Sequence, residues 1–147
     1  MIQPGIFLHS TSMLDESIFE KAIILITEHN EKGAMGFVVN KPFPHKFNEL
    51  EEFRHSMAFP MYEGGPVDQE HLFFIHQRAD LISGGIPVAG NVFAGGDFKE
   101  AVRLINNKTL TEKDIKLFIG YCGWDDEELE AEIAEGNWTL SEDGTAF

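Results

Sequence analysis

At 147 residues the chain has material for one domain with one proper hydrophobic core, burying roughly 68–70% of the surface its unfolded form exposes. Its 43% apolar content, with 13 Phe, is that of a globular protein and not of a disordered one. A formal net charge of −14 repels phosphate backbones and acidic membrane surfaces, which makes direct nucleic-acid binding a poor function class for it. The start, Met1 to Gly5, has neither the basic opening nor the apolar core of an export signal. The longest apolar run, Ala22 to Ile26, is far too short to span a bilayer. A single cysteine, Cys122, excludes an internal disulfide and a multi-Cys zinc site. A cytoplasmic protein with no membrane attachment is expected.

In chain order, strand-like runs fall at Gly5–His9, Ala22–Glu28, Met35–Asn40, His71–His76, Asn91–Ala94, Ile115–Tyr121 and Asn137–Leu140, each bounded by Gly, Pro, Asn or Asp. The second and third flank His29-Asn30-Glu31-Lys32-Gly33 and predict an antiparallel hairpin with a short Gly-containing loop. The fourth carries apolar groups on both faces, as a central strand does. Helical spacing predicts Asp97–Asn107, with Asp97 as cap and Glu100 at the capping-box position, and Asp125–Glu135, with seven carboxylates and Gly136 as its stop. A weaker pattern of Phe47, Leu50 and Phe53 predicts a helix over Phe47–Arg54. The stretch Gly84 to Gly96 carries too many apolar residues for a linker and reads as turn and strand. Strands with helices between them, without regular βαβ alternation, give an α+β class, and the whole of residues 1–147 is one domain.

Chemistry-bearing motifs are mostly missing. No phosphate-binding loop, dinucleotide fingerprint, nucleophile elbow or His-Glu-x-x-His helix occurs, and Ser10 and Ser12 have no base at a known spacing. His71 and His76, five apart on one strand, point to opposite faces and cannot share an ion; His29, beside the hairpin turn, is the histidine best placed to act as acid, base or ligand. Cys122 ends an apolar strand, where a cysteine usually serves as a small hydrophobe. The carboxylates of Asp125–Glu135 lack the alternation and central glycine of a calcium loop and read as a solvated helix face. Gly64-Gly65-Pro66, with no Lys or Arg following, reads as a turn.

Three ordered blocks carry a family resemblance. They are Glu28-His29-Asn30 followed by Gly33-Ala34-Met35-Gly36-Phe37-Val38-Val39-Asn40-Lys41-Pro42; Tyr62-Glu63-Gly64-Gly65-Pro66-Val67 with Leu72-Phe73-Phe74-Ile75-His76; and Phe118-Ile119-Gly120-Tyr121-Cys122-Gly123-Trp124 with Leu129-Glu130-Ala131-Glu132-Ile133. From about Gly5 to Trp138 the chain resembles the AlgH/YqgE family of bacterial proteins. The resemblance implies an α+β fold whose bifurcated, largely antiparallel sheet folds into a barrel-like body with helices packed around it. It implies no reaction and no cofactor: members are described as uncharacterised, or as transcriptional regulators on the strength of a genetic association. Cys122 departs from the small residue expected there. Relatives also continue past the Trp138 strand with a further strand and helix, so a chain stopping at Phe147 is expected to leave apolar surface exposed or covered by another chain.

The reading that follows is a non-enzymatic, cytosolic binding or regulatory module that works through a protein or small-molecule partner, without metal or cofactor. Its candidate patch is Glu28, His29, Asn30, Asn40 and Lys41 around the hairpin, with Tyr121 and Trp124 supplying aromatic area if they converge. The alternative is an enzyme that uses His29 or His76 with a carboxylate in a pocket.

Overall fold

A computed structural model describes every residue from Met1 to Phe147. Nine strands and two helices alternate in the order β1 (Phe7–Ser10), β2 (Ile23–Asn30), β3 (Gly33–Val38), β4 (Met61–Glu63), β5 (Val67–His76), β6 (Ile86–Ala89), β7 (Val92–Ala94), α1 (Phe98–Asn106), β8 (Ile115–Asp125), α2 (Glu128–Ala134) and β9 (Trp138–Ser141). The strands form one sheet in the order β6-β7-β5-β8-β3-β2-β1-β9, with β4 also on β8. Every pairing is antiparallel except β4 with β8. The class is α+β, as expected. The order is open, with β6 and β9 as its two ends, so the sheet is not closed into a barrel.

The long strand β8 organises the molecule. One edge pairs with β5; the other takes β4 along Leu117–Ile119 and then β3 along Cys122–Asp125, so the sheet forks there. Between β4 and β5 the chain crosses β8 through Gly64-Gly65, backbone against backbone. A Cβ on Gly64 would sit 2.4 Å from the Gly120 carbonyl, and one on Gly120, whose φ is +74°, would sit 2.3 Å from the Gly65 carbonyl. Only glycine fits such an approach. The expected turn at Gly64-Gly65-Pro66 is therefore a crossover, and its glycines serve contact more than chain reversal.

At Gly120 the alternation of β8 also changes phase. Leu117 and Ile119 face a core under α1, with Phe47, Phe74, Leu104 and Ile105. Cys122 and Trp124 face a second core under α2, with Leu8, Ile24, Leu129 and Trp138. A third apolar layer takes Phe118 of β8 together with Phe7, Leu25 and Phe37 from one arm of the fork and Ile75 from the other. After β9 the chain returns to this middle layer, where Ala146 is buried and its carbonyl accepts a 2.7 Å bond from Lys116 Nζ.

Local departures from expectation have local causes. The hairpin loop is shorter than five residues, because β2 runs through Asn30 and β3 starts at Gly33. Asn30 Oδ1 closes it by accepting the Lys32 N–H at 2.8 Å. The helix expected over Phe47–Arg54 is two 3₁₀ turns, Phe47–Glu49 and Glu51–Phe53, separated by the extended Leu50. A three-residue apolar spacing suits 3₁₀ turns, and Phe47 and Phe53 still stack at 4.6 Å. Asp97 caps α1 by accepting the Glu100 N–H, while the Glu100 carboxylate binds the Ser83 N–H instead of completing a capping box. The second helix begins at Glu128 and not Asp125, because β8 continues through Asp125 and Glu127 adopts a left-handed φ of 66°. Two strands, β4 and β6, are too short and too polar or proline-bearing to stand out in the sequence.

Candidate functional site

The seven residues of the sequence-derived patch fall into three places. Glu28, Asn30, Tyr121 and Trp124 line one recess of about 400 Å³ at the turn end of the β2–β3 hairpin, together with Met35 and Asp125. The Trp124 indole nevertheless lies in the core under α2, edge-on to Trp138, and donates to Glu132 Oε1 at 3.2 Å. His29, one residue on from Glu28, turns to the opposite face, as strand alternation requires. There its Nε2 lies 3.2 Å from Glu130 Oε2 of α2. Asn40 and Lys41 sit at the far end of β3. Asn40 Oδ1 accepts the Ile23 N–H and its Nδ2 donates to the Lys21 carbonyl, while Lys41 Nζ donates to the Ile18 carbonyl. These two residues hold the loop that precedes β2.

Glu28 and Met35 also line a second, larger cavity of about 570 Å³, and this is the most apolar of the five main cavities. Its wall is built from both arms of the fork: Phe37 from β3, then Leu72, Phe73 and Phe74 from β5. Ile86 of β6 and Phe98 of α1 complete it, and Ile86 is 66% exposed at the mouth. Phe73 links the two cavities, packing edge-on to Tyr121 with ring centroids 5.4 Å apart and tilted against Phe37 at 5.9 Å. Patch reasoning from sequence missed Phe73, Leu72 and Ile86. Two of these lie in the second resemblance block, but period-two alternation could not say which face of β5 met a partner and which met a void.

The only charged group in this cleft is Glu28. It is exposed, forms no ion pair, and accepts one hydrogen bond, from Asn30 Nδ2 at 3.2 Å. The histidines of the enzymatic alternative lie elsewhere. The Glu130 carboxyl is held below its usual range by its own backbone N–H and then by His29, and this pair lines none of the five main cavities. His76 is fully buried between Phe74 and Phe93. Its Nδ1 accepts the Arg78 N–H at 3.1 Å, which leaves the proton on Nε2 to donate to the Gly95 carbonyl at 3.1 Å. Burial pushes its pKa down. His71 is exposed and bound to Asp68 at 2.6 Å, so the two histidines of β5 occupy separate environments.

Two further groups are chemically notable. Burial pushes the Cys122 thiol up to about 12, and its Sγ donates to the Gly64 carbonyl at 3.4 Å, so it packs as a small hydrophobe. Burial pushes the Lys116 amine down to about 8. At neutral pH it still carries a proton, donating to the Val39 and Ala146 carbonyls over the ring of Tyr62.

A family model described as AlgH-like matches residues 7–146 of the chain. Among curated relatives, a UPF0301 protein of Chlorobium limicola is 39% identical over 137 residues, covering 93% of this chain and 73% of that one. A UPF0301 protein of Bacteroides thetaiotaomicron is 34% identical over 144 residues, covering 97% and 73%. The solution structure of the AlgH protein from Pseudomonas aeruginosa superposes with a TM-score of 0.76 at 25% identity, covering 95% of this chain and 76% of that one. A crystal structure of a Corynebacterium diphtheriae protein gives 0.78 at 19% identity, with 96% and 76% covered, a likeness of fold alone. No helix of the chain is long and apolar enough to cross a membrane.

Proposed function

The chain belongs to the AlgH-like family, and from that premise we propose that it is a non-catalytic, cytosolic binding module whose ligand occupies the cleft between the two arms of the forked sheet. The observation that carries this reading is the cleft itself. About 570 Å³ lies within the range of small-molecule sites, and a mainly apolar wall with a small number of polar groups, here Thr27 and Glu28, is their usual composition. Contact with both β3 and β5 makes the cleft sensitive to how the arms sit on β8, which is what a regulatory module needs if ligand binding is to alter a partner-facing surface. A partner of that kind is a protein; a net charge of −14 argues against direct DNA contact.

The enzymatic alternative has less support. Its two histidines lie outside the cleft, one on the α2 face and one with both ring nitrogens engaged, so neither is free to exchange a proton with a molecule bound there.

Titration with the neutral, environment-sensitive dye Nile red tests the binding reading. Saturable, blue-shifted emission is expected from the wild type, and clearly weaker binding from Ile86→Asn, whose exposed side chain can be replaced without unfolding the protein. Non-saturable emission, or emission indifferent to that substitution, counts against the cleft as a binding site.

A further inference from the structure

We infer that the cleft selects ligands carrying a protonated amine on an apolar, ring-bearing body; this rests on the cleft being a binding site and adds its chemical preference. The cleft is large enough for a two-ring body, and its lining holds one charge, the Glu28 carboxylate, with no Lys, Arg or His among the other residues. A ligand anion would therefore enter with no counter-charge and face Glu28, whereas an ammonium group would find the one unpaired carboxylate of the rim. The aromatic rings push the preference the same way. Phe37, Phe73 and Phe98 line the same cavity, and a cation that comes over the face of such a ring is attracted to it. The adjoining recess continues the pattern with Tyr121 and Asp125, although Lys32 on its edge supplies one opposing charge. At longer range the field of a chain with 25 acidic and 11 basic residues concentrates cations around the mouth.

Affinity and selectivity have different sources in this arrangement. Glu28 is exposed, so water and salt screen it and its charge contributes little to binding strength. Burial of an apolar body against Leu72, Phe73, Phe74 and Phe98 supplies the affinity. Glu28 then decides between ligands of the same shape and different charge. The expected discrimination is on the order of tenfold between an amine and a carboxylate of equal size at low salt, and it shrinks as salt is added.

Three probes sharing one ring system separate these effects: 2-(1-naphthyl)ethylamine, 1-naphthaleneethanol and 1-naphthaleneacetate, titrated calorimetrically into the full chain and into Glu28→Gln and Ile86→Asn. The expected order is amine tightest and acetate weakest, with the order collapsing in Glu28→Gln while the alcohol binds unchanged, and all three weakening in Ile86→Asn. The amide introduced by Glu28→Gln keeps an acceptor for Asn30, so the hairpin turn is retained, which matching thermal unfolding of the variant checks. Equal binding of all three probes, lost in Ile86→Asn, overturns the charge preference and leaves the cleft reading standing. An order that survives Glu28→Gln assigns the selectivity to net charge and overturns the role of Glu28. Absence of binding by every probe overturns both readings.

Discussion

Glu132 offers the sharpest test of the packing described above. Its Oε1 accepts both indole N–H groups of the chain, Trp124 Nε1 at 3.2 Å and Trp138 Nε1 at 3.0 Å, and thereby ties α2 to β8 and β9 at one point. Both tryptophans are buried, at 8% and 2% exposure, so neither N–H can turn to water if the acceptor is lost. Replacing Glu132 with Met keeps the length of the side chain and the helix propensity and removes only the acceptor. Each stranded donor costs about 1–3 kcal/mol, so the pair costs roughly 2–6 kcal/mol, a large share of the roughly 5–15 kcal/mol that holds a domain together. Glu132→Gln retains a carbonyl oxygen for the same two donors and loses only the charge assistance, about 1 kcal/mol. Urea unfolding followed by tryptophan fluorescence reads both variants with the only two indoles in the chain as reporters. With a urea slope of about 2 kcal/mol/M, Glu132→Met lowers the midpoint by roughly 1–3 M and Glu132→Gln by about 0.5 M. A Met variant within about 0.5 kcal/mol of the wild type, at unchanged slope, refutes the shared acceptor.

Other outcomes follow from the same structure. Cys122 in the native protein does not react with Ellman's reagent at mildly alkaline pH and reacts promptly once guanidinium unfolds the chain; native-state labelling contradicts the burial that pushes the thiol up to about 12. His76 has its folded pKa depressed below the ordinary histidine value of 6.5, so below that pH the unfolded chain takes a proton that the folded chain refuses. Stability therefore falls as pH drops below about 6.5 until the folded pKa is reached, and the fall is shallower in His76→Gln; equal slopes for variant and wild type in urea titrations across that window refute it. Gly33→Ala puts a Cβ 1.9 Å from the Trp124 carbonyl at a φ of +134° and should cost more than about 4 kcal/mol, seen as loss of soluble folded protein. Normal expression and stability of that variant would mean that β3 and β8 pair in another register.

The fold was legible where one element faces one environment. All seven strand-like runs became strands, and α1 begins at its expected cap, Asp97. What the sequence concealed is concentrated on β8. Residues Ile115 to Asp125 serve three apolar layers in succession, and a phase change at Gly120 defeats any periodicity that assumes one buried face. The site was legible in part for a related reason. Glu28, Asn30 and Tyr121 do converge on one recess, because the hairpin turn and the second half of β8 pair directly through Gly33 and Asp125. His29 separated from Glu28 because neighbours on a strand face apart, and Asn40 and Lys41 lie a strand's length away. The larger cleft went unseen because its wall joins β3 and β5, which pair with opposite edges of β8, a tertiary fact carried by the glycine crossover and by nothing in the local pattern.

The late position of β8 has a consequence for the order in which the molecule can be assembled. The contact between Lys116 and the Val39 carbonyl closes a separation of 77 residues, and the β3 edge finds its partner only when that distance has been spanned. At a synthesis rate of roughly 5–20 residues per second, the hairpin β2–β3 is exposed for about 4–15 s with its outer edge unpaired and Phe37 uncovered. During vectorial synthesis this is a window for edge-to-edge association, and the hairpin is guarded by charge: the tip carries Glu28, Glu31 and Lys32, residues that discourage a second chain from adding to the edge.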